Sequence, residues 1–242
     1  MTRTILALTG ADRVDFLQDL VTNDITRPER LTYAALLTPQ GKYLADFFVA
    51  HDGERLLIDV DADLADSLSA RLSMYRLRRK VGIEATELGI TRGTGPAPEG
   101  ARADPRHPDL GWRAYGAGSG DDGTDWDALR VALCVPEAGI ELVPNDSYIL
   151  EMGFERLNGV DFRKGCYVGQ EVTARMKHKT ELKKGLMTVA VDGEVPVGTE
   201  ITANGRIVGT LYTQSGGRAL AWLRLDRAGP DMEAGGARVA LG

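Results

Sequence analysis

Between residues 31 and 61 three apolar runs, LTYAALLT, YLADFFVA and RLLIDVD, are separated only by the polar tetrapeptides PQGK and HDGE. Turns that short return each run antiparallel beside its predecessor, so the stretch reads as a meander. Upstream, RTILALTG alternates like a strand and stops at GAD. Asp12 can then cap a helix whose apolar positions Val14, Leu17, Leu20 and Val21 recur at helical spacing. Downstream, Asp61 or Asp63 can cap a second helix, with Leu64, Leu68, Leu72 and Tyr75 on one face, before RLRRK and the strand-like VGIEATE. The order β-α-β-β-β-α-β makes an α+β unit of roughly the first 85 residues.

Residues 93–124 are rich in Gly, Pro, Asp and Ala and flank one strand candidate, LGWRAYG; surface loops around a reduced second unit are expected there. DWDALRVALCVPEAG reads as a helix capped by Asp125, with Pro136 near its end and Cys134 on its apolar side as a buried, inert thiol. After Leu182 five short strand-like runs with Gly or Asn turns, LKKGLMTVAVDG, TEITANG, RIVGTLYTQ, RALAWLRLD and ARVAL, suggest a small terminal β-barrel. The expected division is 1–180 for the α+β domain, with units of 1–90 and 91–180, and 181–242 for the barrel.

With 242 residues, 43% hydrophobic and 26% charged, the chain can bury a sizeable core. The opening MTRTILALTGADR lacks the length of a signal h-region, and no run approaches a bilayer span, so the expected compartment is the cytoplasm. Cys134 and Cys166, with His51, His107 and His178, show no metal-ligand spacing; no metal site is expected. The net charge of −6 argues against broad nucleic-acid binding. Locally, Arg163, Lys164, Arg175, Lys177, Lys179, Lys183 and Lys184 face only Glu171 and Glu181, which suits either a solvated surface or an anion site.

The most concentrated chemistry lies in KGCYVGQE, residues 164–171. Glycines at 165 and 169 permit left-handed backbone and close approach of the main chain on both sides of Cys166. A helix beginning near Gly169 or Gln170 would place Cys166 just before its N-terminus and beside Lys164, two influences that favour a thiolate. A reactive or ligating cysteine and a packed cysteine in a glycine turn both remain open.

KGCYVGQE, with AR following, resembles the signature of the YgfZ-type folate-binding proteins, which help maintain iron–sulfur enzymes and are relatives of the glycine-cleavage T-protein, an aminomethyltransferase. LTGADRVDFLQDLVTNDI, PQGKYLADFFV, DPRHPDLGWR and the barrel-like end follow in the family's order. The resemblance implies a T-protein-like fold, tetrahydrofolate as ligand, Cys166 as the functional thiol, and folate contacts at Trp126, Arg130, Lys164, Gln170, Glu171 and Arg175. It also implies iron–sulfur client or assembly proteins as partners. Where T-proteins carry two adjacent aspartates, this chain has Ala45 and Asp46, and the GYTGE stretch has no counterpart around LGWRAYG. An alanine handles no proton, which counts against aminomethyl transfer. The expected function is therefore a folate-binding accessory protein for assembly or repair of iron–sulfur enzymes. The alternatives are a folate-dependent one-carbon transferase and an RNA-interacting tRNA-modification factor.

Overall fold

The computed structural model describes residues 2–179 and 182–241; the side chain of Lys179, Glu181 and the domain boundary expected at 180 lie outside the described residues. Two compact units emerge, one of residues 1–124 and 155–172, the other of 125–154 and 173–242.

In the first unit, β1 (Arg3–Thr9), β2 (Thr32–Leu37), β3 (Tyr43–Asp52), β4 (Arg55–Asp61) and β5 (Gly82–Ala85) form an antiparallel sheet of order β2-β3-β4-β1-β5. The expected meander is its β2-β3-β4 edge. Helices α1 (Arg13–Gln18) and α2 (Ala62–Arg76) bury Phe16, Leu17, Ala65, Leu68 and Leu72 against Leu6, Leu8, Phe47, Val49 and Ile58. Asp61 caps α2 by accepting from the Asp63 N–H at 2.9 Å. Asp12 does not cap α1 as expected: its carboxylate accepts from the Lys80 N–H instead, and α1 ends at Gln18, leaving Leu20 in the following turn and Val21 in an isolated bridge to Leu36.

Residues 93–124, expected as loops around one strand, instead supply most of a small sheet. Strands β6 (Gly89–Gly93), β7 (Arg102–Ala103), β8 (Trp112–Gly116) and β9 (Gly120–Asp121) pair in the order β7-β8-β6-β9.

In the second unit, α3 (Trp126–Leu133) is capped by Asp125, whose side chain accepts from the Ala128 N–H. It stops earlier than the sequence suggests. Cys134 is not on the helix face but is the left-handed residue that ends it (φ 54°), half-buried, with its Sγ 3.6 Å from the Leu186 carbonyl oxygen. After α4 (Gln170–Lys179) come β10 (Lys184–Asp192), β11 (Thr199–Ala203), β12 (Arg206–Ser215), β13 (Arg218–Arg224), β14 (Met232–Ala234) and β15 (Ala237–Leu241). They close a six-stranded barrel, β10-β13-β12-β11-β14-β15, with β15 pairing back to β10. Its interior is a separate core of Val189, Ile201, Val208, Leu211, Leu223 and Val239.

Candidate functional site

Cys166 lies on an exposed loop four residues before α4 begins at Gln170. The loop is anchored at both ends within the first unit. On the N-terminal side, the Lys164 ammonium donates to the carbonyl oxygens of Gln18 (2.6 Å), Val21 (2.5 Å) and Asn23 (3.3 Å), which cluster where α1 ends. Burial pushes its pKa down to about 8, with the carboxylates of Asp24, Asp19 and Asp161 acting the other way. Lys164, expected to touch folate and to favour a thiolate, is thus an anchor whose three donors are committed to backbone.

The C-terminal anchor is steric. Gly169 has φ +83°, and a Cβ there would stand 2.6 Å from the Thr38 carbonyl oxygen and 3.1 Å from Gly41 Cα. Gly41, in the PQGK turn, has φ +76°, and its own Cβ would meet Val172 at 2.8 Å. The two motif glycines therefore let the meander turn and the signature loop touch backbone to backbone. Gly165 differs from expectation, with neither a left-handed φ nor any neighbour within 4 Å of an added Cβ. In the first turn of α4, Gln170 donates from Nε2 to the Gly165 carbonyl oxygen (3.4 Å), and Glu171 is exposed. Arg175 is exposed one turn further along.

Next to the loop opens a cleft of about 480 Å³ that includes Asn23, Arg27, Arg30, Tyr33, Asn158 and Arg163 in its lining, with the acids Glu155 and Asp161. Every lining residue belongs to the first unit. Of these only Arg163 was singled out in the sequence, as part of the basic stretch that suits a solvated surface or an anion site; for the others the signal was weak, two arginines in TRPER.

Behind Tyr33 the sheet's second face carries a buried layer of charge. Successive residues of β3 point oppositely, so Ala45 joins the apolar core while Asp46 faces away and accepts from the hydroxyls of Tyr33 (2.9 Å) and Tyr43 (2.7 Å). Arg113 on β8 donates to Asp59 (3.0 Å) and Asp104 (3.1 Å), Arg106 grips Asp104 (2.8 Å), and Arg3 grips Asp59 (2.6 Å). The three guanidiniums lie 3.8–5.8 Å from the centre of the Phe48 ring. Burial alone would raise the Asp104 carboxyl, but Arg106 and Arg113 hold it well below the ordinary carboxylate range. DPRHPDLGWR is thus a charge clamp fastening the small sheet to the meander.

The remaining expected contacts lie in the second unit. Trp126 is the first residue of α3 and half-buried. Arg130 is 5% exposed, donates to Glu141 (3.0 Å), Asp127 (3.2 Å) and the Thr213 hydroxyl (2.9 Å), and is ion-paired with Glu137 (2.8 Å). That geometry ties α3 to β12 and makes Arg130 a positioning group. Among the described residues no cluster of three or more His, Cys, Asp or Glu could hold a metal ion.

This arrangement can be set beside known proteins. A domain profile described as CAF17, C-terminal beta-barrel domain, matches residues 183–242, the closed barrel. The human iron–sulfur cluster assembly factor IBA57, mitochondrial, is 32% identical over an alignment covering 99% of this chain and 81% of the human protein. The chain belongs to the IBA57 family. The mouse member is 30% identical, covering 92% of this chain and 75% of that protein, and the Mycosarcoma maydis homolog is 32% identical over 78% of this chain. The chain spans 55% of the length of that fungal relative. Among solved structures, the glycine cleavage system aminomethyltransferase T from Bartonella henselae superimposes with a TM-score of 0.75, covering 99% of this chain and 83% of that one. At 13% identity the likeness is one of fold, and it bears out the expected T-protein-like architecture. The family membership likewise bears out the resemblance read from KGCYVGQE. The cytoplasmic compartment expected from the sequence is corrected: the human, mouse and fungal members are all named as mitochondrial, which points away from the cytoplasm.

Proposed function

We propose that this IBA57-family protein is a reduced-folate-binding accessory factor that supports assembly or repair of iron–sulfur enzymes, with Cys166 as its functional thiol. The observation that carries the reading is an exposed cysteine on a loop pinned at both ends, adjoining a polar cleft. A thiol that must reach a client needs access, and a rigid support keeps it in one place. The cleft has the size and mixed lining of a small-molecule site. Tetrahydrofolate fits its chemistry: the adjacent N–H donors on the pterin edge match a carboxylate such as Glu155 or Asp161, and Arg27, Arg30 and Arg163 suit the glutamyl carboxylates. The names of the relatives support the iron–sulfur part. Ala45, buried where a T-protein has its first aspartate, supports an accessory role over aminomethyl transfer.

The test is a tetrahydrofolate titration of the wild type, Cys166→Ala, an Arg27→Glu/Arg30→Glu double variant and Trp126→Ala, joined to iron–sulfur enzyme assays in cells carrying each as their sole copy. Micromolar binding is expected in the wild type and in Cys166→Ala, and at least tenfold weaker binding in the double arginine variant. Cys166→Ala is expected to abolish the cellular function. No binding by the wild type sinks the folate assignment, and full activity with Cys166→Ala sinks the thiol. Loss of binding in Trp126→Ala alone would move the ligand away from the cleft.

A further inference from the structure

The two most exposed large apolar side chains among the described residues are neighbours: Met74, 70% exposed in the last turn of α2, and Leu77, 87% exposed at its end. Leu77 also holds φ 48°, a left-handed conformation that a branched side chain adopts only at a cost, although glycine would take it freely. A helix end needing only to stop would be served better by glycine. Around it run Arg76, Arg78, Arg79 and Lys80, all exposed. Arg79 pairs with Asp19, and Arg76 donates to the Val81 carbonyl oxygen. Arg78 and Lys80 have no acidic partner among the described residues. Leu77, Arg78 and Arg79 line an open, shallow surface with Asp12.

We propose that this helix end is a docking site for an acidic, leucine-bearing segment of a partner protein, which packs an apolar side chain against Leu77 and Met74 and pairs its carboxylates with Arg78 and Lys80. Charge complementarity selects the occupant. A lipid surface fits less well, because two apolar side chains are little area to insert. The site lies at the end of α2, shares no lining residue with the cleft, and stands whether or not folate binds.

Leu77→Gly removes the anchoring side chain and relieves the backbone, so a purely structural leucine predicts equal or greater stability with no other effect. The probe is a synthetic fourteen-residue helical peptide with Leu at two positions one turn apart and Asp or Glu elsewhere, titrated by fluorescence anisotropy at low and physiological salt. Micromolar binding to the wild type is expected, weakening as salt rises and at least tenfold weaker in Leu77→Gly and in Arg78→Glu/Lys80→Glu, with thermal stability of Leu77→Gly unchanged or raised. Absent binding to the wild type, or equal binding to all three proteins, overturns the proposal. So does wild-type binding to vesicles containing phosphatidylserine that is lost in the same variants while the peptide is ignored.

Discussion

Lys164 shows how far a residue's role can lie from its sequence context. Beside Cys166 in the chain, its charge invited a role at the thiol; its three acceptors are backbone carbonyls, which leave no mark in a sequence. Replacing it by methionine strands those oxygens, at a cost of about 1–3 kcal/mol for each left unsatisfied, and should loosen the Cys166 loop as seen by faster amide exchange. The pH dependence is also defined. The folded amine titrates at about 8 and an unfolded lysine at about 10.4, so between those values the unfolded chain binds more protons and this group's contribution to stability rises with pH. Denaturant melts of wild type against Lys164→Met from pH 7 to 10.5 should diverge in that window. The two glycines of KGCYVGQE separate as clearly: Gly169→Ala should cost roughly 1–3 kcal/mol from backbone conformation alone, plus the clash with Thr38, whereas Gly165→Ala should stay within about 0.5 kcal/mol. Composition could not tell them apart, because the difference lies in the left-handed φ of Gly169 and its contacts with Thr38 and Gly41.

Among the elements, the meander was legible because its turns are short and its strands alternate. The small sheet β6–β9 was not, since two of its strands have two residues each and its pairings draw on Gly-rich segments without periodicity. Its attachment is legible only in retrospect: the acid and arginines of DPRHPDLGWR lie in an otherwise turn-like run, and their partner Asp59 sits in the middle of an apolar strand. Breaking such a pair strands a buried charge. Asp104→Asn should therefore cost about 3–5 kcal/mol, read as a lower thermal midpoint. Because its folded pKa is depressed, Asp104 stabilises the fold above the unfolded carboxylate value, and this contribution fades as pH falls through the folded value. The acid-induced loss of stability should thus be shallower in Asp104→Asn than in the wild type.

Over the whole molecule, two compact units each own a hydrophobic core and a buried ion cluster, one around Asp59 and Asp104, the other around Arg130 and Glu141. Trp112 reports on the first unit, and Trp126 and Trp222 on the second. In a Trp112→Phe background, Arg130→Met should shift the fluorescence transition to lower denaturant, whereas Asp104→Asn should leave it in place and lower only the transition followed through Trp112 in the parent. Coincident shifts in all cases would mean that the chain unfolds as one body. The Lys164 tether adds a consequence in time. Its amine reaches the Gln18 carbonyl across 146 positions of chain, so a ribosome has made most of the first unit before the anchor exists. Contacts of such long range form late. Nascent chains therefore carry the meander finished but the Cys166 loop untethered, and a product stalled before residue 164 would hold the whole meander without that anchor.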